Sequence, residues 1–206
     1  MRGGFGFGGP IHASVFLALY VAIRFVWPQL LDEIHPFASY AFEVLFSASV
    51  LLFFIRQEKT RPKFSPLLPL HTISAGVVGF LCFRFAGWRG IEVPFDLAGR
   101  ATLVLLLAVG PALEELLFRG ALWRLVQNIR NDQFTPWLGT SAAFAFSHFA
   151  AWWTVPPAWR GFILFQTLYT LGLGLYCGHF RRITGGMGVP VLVHALFNLG
   201  FYLGSL

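Results

Sequence analysis

Residues 97 to 129 read LAGRATLVLLLAVGPALEELLFRGALWRLVQNI, a long apolar run with only a few charged positions. Crossing the hydrocarbon core of a bilayer takes about 20 helical residues at about 1.5 Å each, so this run is more than long enough for one crossing. Gly110 and Pro111 lie in its middle, where a proline removes a backbone donor and crowds the preceding turn. The run therefore predicts a membrane-spanning helix with a kink or break at Pro111.

Six further apolar stretches surround this run, three before it and three after it. Their approximate limits are Ile11 to Leu31, Phe37 to Ile55, Leu67 to Ala86, Thr135 to Trp153, Trp159 to Phe180 and Met187 to Leu206. In lipid every backbone amide needs a partner within the protein, so only helices and closed barrels span a bilayer, and these stretches are too long for barrel strands. The chain of 206 residues, 56% hydrophobic and 12% charged, thus predicts an all-α, polytopic membrane helix bundle of about seven transmembrane helices.

The chain is interpreted as one helical membrane unit with three parts. Residues 1 to 10 contain many glycines and are expected to form a flexible tail. Residues 11 to 96 supply three transmembrane helices, and residues 97 to 206 supply four more. The two cysteines lie in separate apolar stretches, so neither a disulfide framework nor a cysteine zinc motif is predicted.

Positive charge is concentrated in the short loops on one side of the predicted bundle. The net charge is +6, and the basic side chains in these loops are Arg56, Lys59, Arg61, Lys63, Arg124, Arg130, Arg181 and Arg182. Basic loops next to membrane spans remain in the cytoplasm, so we expect a cytoplasmic amino terminus and an outer carboxyl terminus. This distribution argues against nucleic-acid binding. The compact chain has no Asn-x-Ser/Thr acceptor, which favours a prokaryotic plasma membrane.

Two carboxylates and a guanidinium interrupt the longest apolar run. Each such charge costs about 2.5 to 3.5 kcal/mol at the centre of a membrane helix, so pairing or a polar cavity must offset the cost. Glu115 and Arg119 are four residues apart and share a helix face, whereas Glu114 is rotated by about 100° from Glu115. We expect Arg119 to fix Glu115 and Glu114 to face a cavity as a general base. A purely stabilising ion-pair cluster is the alternative.

The next polar feature is His148 on an otherwise apolar helix, with Phe144 one turn away on the same face. A single histidine on such a helix is more often a satisfied core residue than a catalytic one. The acidic pair on the preceding span makes His148 a candidate for the same site.

The last span carries His194 and Asn198, again four residues apart and therefore on one face. An imidazole N–H and a carboxamide N–H aimed at one point would stabilise a developing oxyanion. Polar side chains that hold helices together are the alternative interpretation.

Three motifs in this order resemble those of the CPBP family, which contains type II CAAX prenyl endopeptidases and bacteriocin-processing proteases. The motifs are Glu-Glu-x-x-x-Arg at 114 to 119, Phe-x-x-x-His at 144 to 148 and His-x-x-x-Asn at 194 to 198. The segment from 174 to 198 also resembles the last motif of that family and the residues that lead into it. The resemblance begins at Leu97 and implies a four-helix catalytic core.

The resemblance implies an intramembrane glutamic-type endopeptidase without a cofactor. Glu114 and His148 would activate water, His194 and Asn198 would stabilise the oxyanion, and the substrate would be a membrane-associated protein or peptide. A metal-dependent protease would instead use Glu114, His148 and His194 as ligands for a divalent ion such as zinc. The same buried charges would also fit a transporter, or a non-catalytic scaffold that binds a partner's transmembrane segment. The identity of the substrate, and whether it is prenylated, stays open.

Overall fold

The structure is a computed structural model that describes residues 9–23, 38–54, 68–94 and 96–206. These residues form seven helices without any strand among them, which confirms the all-α prediction and the helix count. The tail predicted for residues 1 to 10 and the basic loop at 56 to 63 lie almost entirely outside the described residues. The helices are α1 (Pro10–Val21), α2 (Ala38–Phe53), α3 (Leu68–Trp88), α4 (Arg100–Ile129), α5 (Phe134–Phe149), α6 (Arg160–Thr184) and α7 (Gly188–Ser205).

Four helices among the described residues are long and apolar enough to cross a membrane: α3, α4, α6 with the short turn before it, and α7. Helices α1 and α2 are apolar but shorter in the part that the structure describes. Helix α5 is continued by a single 3₁₀ turn to Trp153, and it carries hydroxyl side chains together with His148. Its polar side chains give it a face suited to lining a polar site.

Helix α4 is irregular on both sides of its two glutamates. A π-helical segment at Leu105–Val109 precedes the α-helical turn Gly110–Glu115, and a second π-helical segment follows at Leu116–Leu122. π-helical segments are rare in proteins, and those that do occur are often found at functional sites. The interruption predicted at Pro111 is therefore present as a π-helical segment that ends just before the proline.

The packing of the helices encloses the second half of α4. Helix α7 packs most extensively against α3, and α5 packs along α6, while α1 and α2 pack against the carboxyl-terminal half of α4. Every residue from Leu117 to Trp123 is buried, whereas every residue from Arg100 to Val109 is exposed or half-buried. The glutamates thus lie at the boundary between a tightly packed half of the bundle and a looser one.

Candidate active site

One cavity of about 820 Å³ contains side chains from all three motifs. Its walls come mainly from α4, α5, α6 and α7, and Glu114, His148, His194 and Asn198 all line it. A volume between about 300 and 1,000 Å³ is typical of ligand-binding sites. The four residues proposed from the sequence as catalytic therefore share one space.

Behind the cavity wall lies a fully buried ion pair. Arg119 Nη1 donates to Glu115 Oε1 at 3.2 Å, and both side chains have no exposed surface. Arg119 Nη2 donates to the carbonyl oxygen of Gly174 at 2.7 Å. A Cβ on Gly174 would lie 3.3 Å from that guanidinium nitrogen, so the close approach of α6 depends on a residue without a side chain. The predicted pair of Glu115 and Arg119 is present, and Arg119 also donates to a backbone carbonyl.

The two adjacent glutamates occupy different environments, as the rotation between neighbouring helical positions requires. The side chain of Glu115 is completely buried, whereas that of Glu114 is 35% exposed and lines the cavity. Glu115 is held by Arg119 and is shielded from any ligand. Glu114 is the carboxylate that a substrate or water molecule in the cavity would meet.

His194 lies between the two glutamates. Its Nδ1 is 3.0 Å from Glu115 Oε1, and its Nε2 is 3.6 Å from Glu114 Oε2. A carboxylate only accepts hydrogen bonds, so His194 Nδ1 carries the proton in the bond to Glu115. This bond orients the ring and turns Nε2 toward Glu114 and the cavity, in the way that an outer carboxylate orients a functional histidine.

Phe144 joins the elements of the site through its ring. The guanidinium carbon of Arg119 lies 5.0 Å from the ring centroid, within the range of a cation–π contact. The rings of His148 and His194 pack edge-on against it at centroid distances of 4.8 and 5.6 Å. Phe144 is fully buried and holds the guanidinium and both imidazoles in place.

His148 is anchored to its own helix. Its Nδ1 is 2.9 Å from the carbonyl oxygen of Phe144, so Nδ1 donates this bond and Nε2 is the nitrogen without the proton in the neutral ring. The half-buried ring lines the cavity. His148 is therefore placed to accept a proton from a molecule in the cavity through Nε2.

Asn198 makes a contact that the sequence did not indicate. Its Nδ2 donates to the carbonyl oxygen of Leu106 at 2.8 Å. Gly110 N–H bonds to Leu105 O, one residue beyond the α-helical spacing, and in this register the donor for Leu106 O would be the backbone nitrogen of residue 111. Residue 111 is proline and has no N–H. One amide hydrogen of Asn198 replaces the missing donor, and the other is left for a ligand.

The carbonyls of Gly174 and Leu106 are parts of the site that sequence reasoning missed. Glycine at 174 and proline at 111 are the only signals the sequence offers for them, because both are contacts between helices far apart in the chain.

Among the described residues, no group of three His, Cys, Asp or Glu side chains clusters closely enough to hold a metal ion. The side chains that would bind the metal in the metal-dependent alternative are therefore not clustered closely enough in this structure to share one ion.

Comparisons with known proteins place this arrangement in a family. A search of curated proteins and a search of solved structures give no significant match. A family model described as type II CAAX prenyl endopeptidase Rce1-like matches residues 97–200, which include every motif residue of the site. Because this match covers half of the 206 residues, the chain belongs to the type II CAAX prenyl endopeptidase Rce1-like family of membrane proteases.

Proposed function

We propose that this protease is a glutamic-type intramembrane endopeptidase, and that it cleaves a membrane-associated protein or peptide without a metal cofactor. The observation that carries the proposal is the unequal exposure of the two glutamates. Glu114 faces the cavity with 35% of its side chain exposed, while Glu115 is fully buried against Arg119. A general base must reach water or substrate, and of these two carboxylates only Glu114 does so.

In the proposed reaction, Glu114 and His148 take a proton from a water molecule as its oxygen attacks the carbonyl carbon of the scissile peptide bond. The carbonyl electrons move onto oxygen. Two donors stabilise that oxyanion: the second amide hydrogen of Asn198, and the Nε2–H of His194 in a ring protonated on both nitrogens, since Nδ1 already donates to Glu115. The proton then passes to the amide nitrogen as the C–N bond breaks. Glu115 and Phe144 contact His194, and Phe144 also contacts His148. Arg119 in turn holds Glu115 and the Phe144 ring in position.

The orientation is also proposed, from charge. Arg124 and Arg130 lie at the end of α4, and Arg181 and Arg182 lie at the end of α6, so all four share one end of the bundle. Basic residues at the ends of spans favour the cytoplasmic side. We infer a prokaryotic plasma-membrane protein with a cytoplasmic amino terminus and an outer carboxyl terminus.

The test uses detergent-purified protein and a library of membrane peptides, with cleavage products identified by mass spectrometry. Wild type and the control Glu92→Gln, a change in the exposed segment before α4, should both cleave. Glu114→Gln should not. Activity should persist after exhaustive chelation with verified metal removal. Equal cleavage by Glu114→Gln would reject the role of Glu114, and restoration of a chelated enzyme by zinc alone would favour the metal-dependent mechanism.

A further inference from the structure

A guanidinium near the carboxyl-terminal end of α6 is held between two aromatic rings. The guanidinium carbon of Arg182 lies 4.9 Å from the ring centroid of Trp137 and 5.0 Å from that of Phe134. Both rings belong to the start of α5, and their centroids are 6.1 Å apart. Cation–π contacts at these distances fix the guanidinium between the two helices. We call Phe134, Trp137 and Arg182 the Arg182 site.

The Trp137 ring is itself held in place by α6. Its Nε1 donates to the carbonyl oxygen of Leu175 at 2.8 Å. A Cβ on Gly178 would lie 2.5 Å from Trp137 Cδ1, so the ring packs directly on the backbone of α6 about one turn before Arg182. One wall of the Arg182 site is therefore in position before any ligand binds.

The donors of Arg182 are left for a ligand. Within the part of the chain that the structure describes, Arg182 makes no hydrogen bond and no ion pair, and its Nε is buried without a partner. The neighbouring Arg181 differs, because its Nε donates to the carbonyl oxygen of Arg119 at 3.0 Å. Asp132, just before α5, uses both carboxylate oxygens on Phe134 and Thr135. A fixed guanidinium has five N–H donors, so this one is suited to binding an anion.

The Arg182 site lies where a membrane span ends. The apolar span that contains α6 runs from Pro157 to Thr184, so Arg182 is close to its last residue. Trp137 lies in the first turn of α5, at the same end of the bundle. Tryptophan and arginine at the ends of spans lie at the level of the lipid headgroups. The anion that a membrane offers at this level is the phosphate of a phospholipid.

Exposed apolar side chains continue from the Arg182 site toward the middle of the membrane. On α6, Leu171 lies about three helical turns before Arg182 and therefore on the same face. On α5, Leu138 lies about one turn after Phe134. Leu171, Leu138 and Phe134 are all exposed. A phospholipid with its phosphate at Arg182 would place its acyl chains along these side chains.

We propose that the Arg182 site binds the phosphate of an anionic phospholipid whose acyl chains lie along α5 and α6. The two Nη groups of a guanidinium can donate side by side to two phosphate oxygens. A zwitterionic lipid would bring an ammonium group to an end of the bundle that also carries Arg130 and Arg181, so an anionic headgroup is favoured. This inference goes beyond the proposed function and does not depend on it.

Native mass spectrometry of delipidated, detergent-purified protein measures the binding. Phosphatidylglycerol should bind more tightly than phosphatidylcholine with the same acyl chains, and diacylglycerol, which lacks the phosphate, should bind least. Arg182→Gln should weaken phosphatidylglycerol binding at least about tenfold, because charge-assisted hydrogen bonds to the phosphate are lost. Arg130→Gln is the matched control, since it removes one positive charge from an exposed position at the same end. Its effect should stay below about threefold.

Two outcomes of this comparison would overturn the proposal. One is equal weakening by Arg182→Gln and Arg130→Gln, because general charge attraction would then account for the binding. The other is equal binding by wild type and Arg182→Gln. If Arg182→Gln does not fold, Arg182→Lys and Phe134→Leu replace it. The first keeps the charge without the planar fork, and the second keeps an apolar side chain without the ring. Both should weaken the binding, and unchanged binding in either would overturn the proposal.

Two further measurements test the source of the phosphate and the place of binding. Phosphatidylglycerol should raise the unfolding temperature in detergent, whereas the same concentration of inorganic phosphate should not. Equal stabilisation by both would show a free-phosphate site and reject the lipid. Phosphatidylglycerol with a photoreactive group in its acyl chain should crosslink to α5 or α6, and crosslinks confined to other helices would contradict the proposed site.

Discussion

At the residue scale, the site depends on a buried charge cluster in which each member has a distinct partner. Glu115 Oε1 accepts hydrogen bonds from Arg119 on its own helix and from His194 on α7. Removing one partner of a buried ion pair leaves an uncompensated charge, which costs more than the pair contributes. The pair therefore stabilises Glu115 inside the bundle and leaves the neighbouring Glu114 available for its proposed role.

Loss of either partner of this pair should destabilise the fold as well as the activity. We expect Arg119→Met and Glu115→Gln each to lower the free energy of unfolding by about 3 to 5 kcal/mol, because each leaves its buried partner unpaired. Thermal unfolding in detergent measures the effect. The double variant should be less unstable than the sum of the two single variants, and strict additivity would show that the two side chains are energetically independent.

The sequence predicted what lies on one helix face, and it did not predict contacts between helices. The Glu115–Arg119 pair and the separate environment of Glu114 follow from the helical period alone. The position of His194 between both glutamates does not, because it depends on how α7 is rotated against α4 and His194 is 79 positions from Glu115 in the chain. The sequence predicted His194 as an oxyanion donor or, in the alternative, as a metal ligand, and it did not predict that His194 connects the two carboxylates.

At the element scale, the irregular α4 helix requires help from α7. Pro111 leaves the Leu106 carbonyl without its backbone donor, and Asn198 supplies one at 2.8 Å. The proline in the sequence predicted an interruption of the helix, but it did not distinguish a simple kink from a π-helical segment. Only the packed structure identifies which carbonyl is freed and which side chain bonds to it.

The coupling of Asn198 and Pro111 is testable with a double-mutant cycle. Asn198→Ala should lower stability by about 1 to 3 kcal/mol, because it leaves the Leu106 carbonyl unsatisfied. In a Pro111→Ala background the penalty should be smaller, because residue 111 then provides an N–H. An equal penalty in both backgrounds, measured by thermal unfolding, would show that the Leu106 bond is not what Asn198 contributes to stability.

The start of α5 provides a pH-dependent element outside the membrane. Asp132 Oδ1 accepts from the backbone N–H of Thr135 at 2.6 Å and of Phe134 at 2.7 Å, and Oδ2 accepts from the Thr135 hydroxyl at 2.8 Å. These bonds, led by the one from the Thr135 backbone, hold the pKa of Asp132 below its ordinary value of 3.8. A lowered folded-state pKa means that the stabilisation is present above the ordinary value and is lost as pH falls through the folded one.

Asp132→Ala should therefore lower the melting temperature at neutral pH, and the difference from wild type should shrink when the pH is reduced below about 3.8. Melting curves of both proteins across a pH series provide the measurement. Asp132→Asn is the matched control, because asparagine also caps helices but does not titrate. A difference that stays constant with pH would contradict the role of the ionised carboxylate.

At the scale of the whole molecule, the part of the chain before the family match is packed against the part that the family model matches. Helix α3 lies outside the matched residues 97–200, yet it makes the most extensive contact with α7, which carries His194 and Asn198. Small residues allow this approach: a Cβ on Gly200 would overlap the carbonyl of Gly76. Close backbone packing at glycines is a common way of associating membrane helices.

Gly200→Ala should consequently separate α3 from α7 and disturb the site from a distance. We expect a loss of about 1 to 3 kcal/mol in stability from overpacking, together with lower activity. Gly172→Ala is the control, since a Cβ there would meet nothing within 4 Å. Equal thermal stability of the two variants in detergent would show that α3 and α7 do not need this close contact.

The central claim is that Glu114 is the general base of a peptidase, and its turnover number tests the claim most directly. Steady-state kinetics on the best library peptide would compare wild type with Glu114→Gln, a substitution that keeps the shape of the side chain. Loss of general-base catalysis is worth about 10²- to 10⁴-fold in rate, so kcat should fall by that factor while KM and the melting temperature stay close to wild type. A kcat within a few-fold of wild type in a correctly folded Glu114→Gln protein would contradict the account.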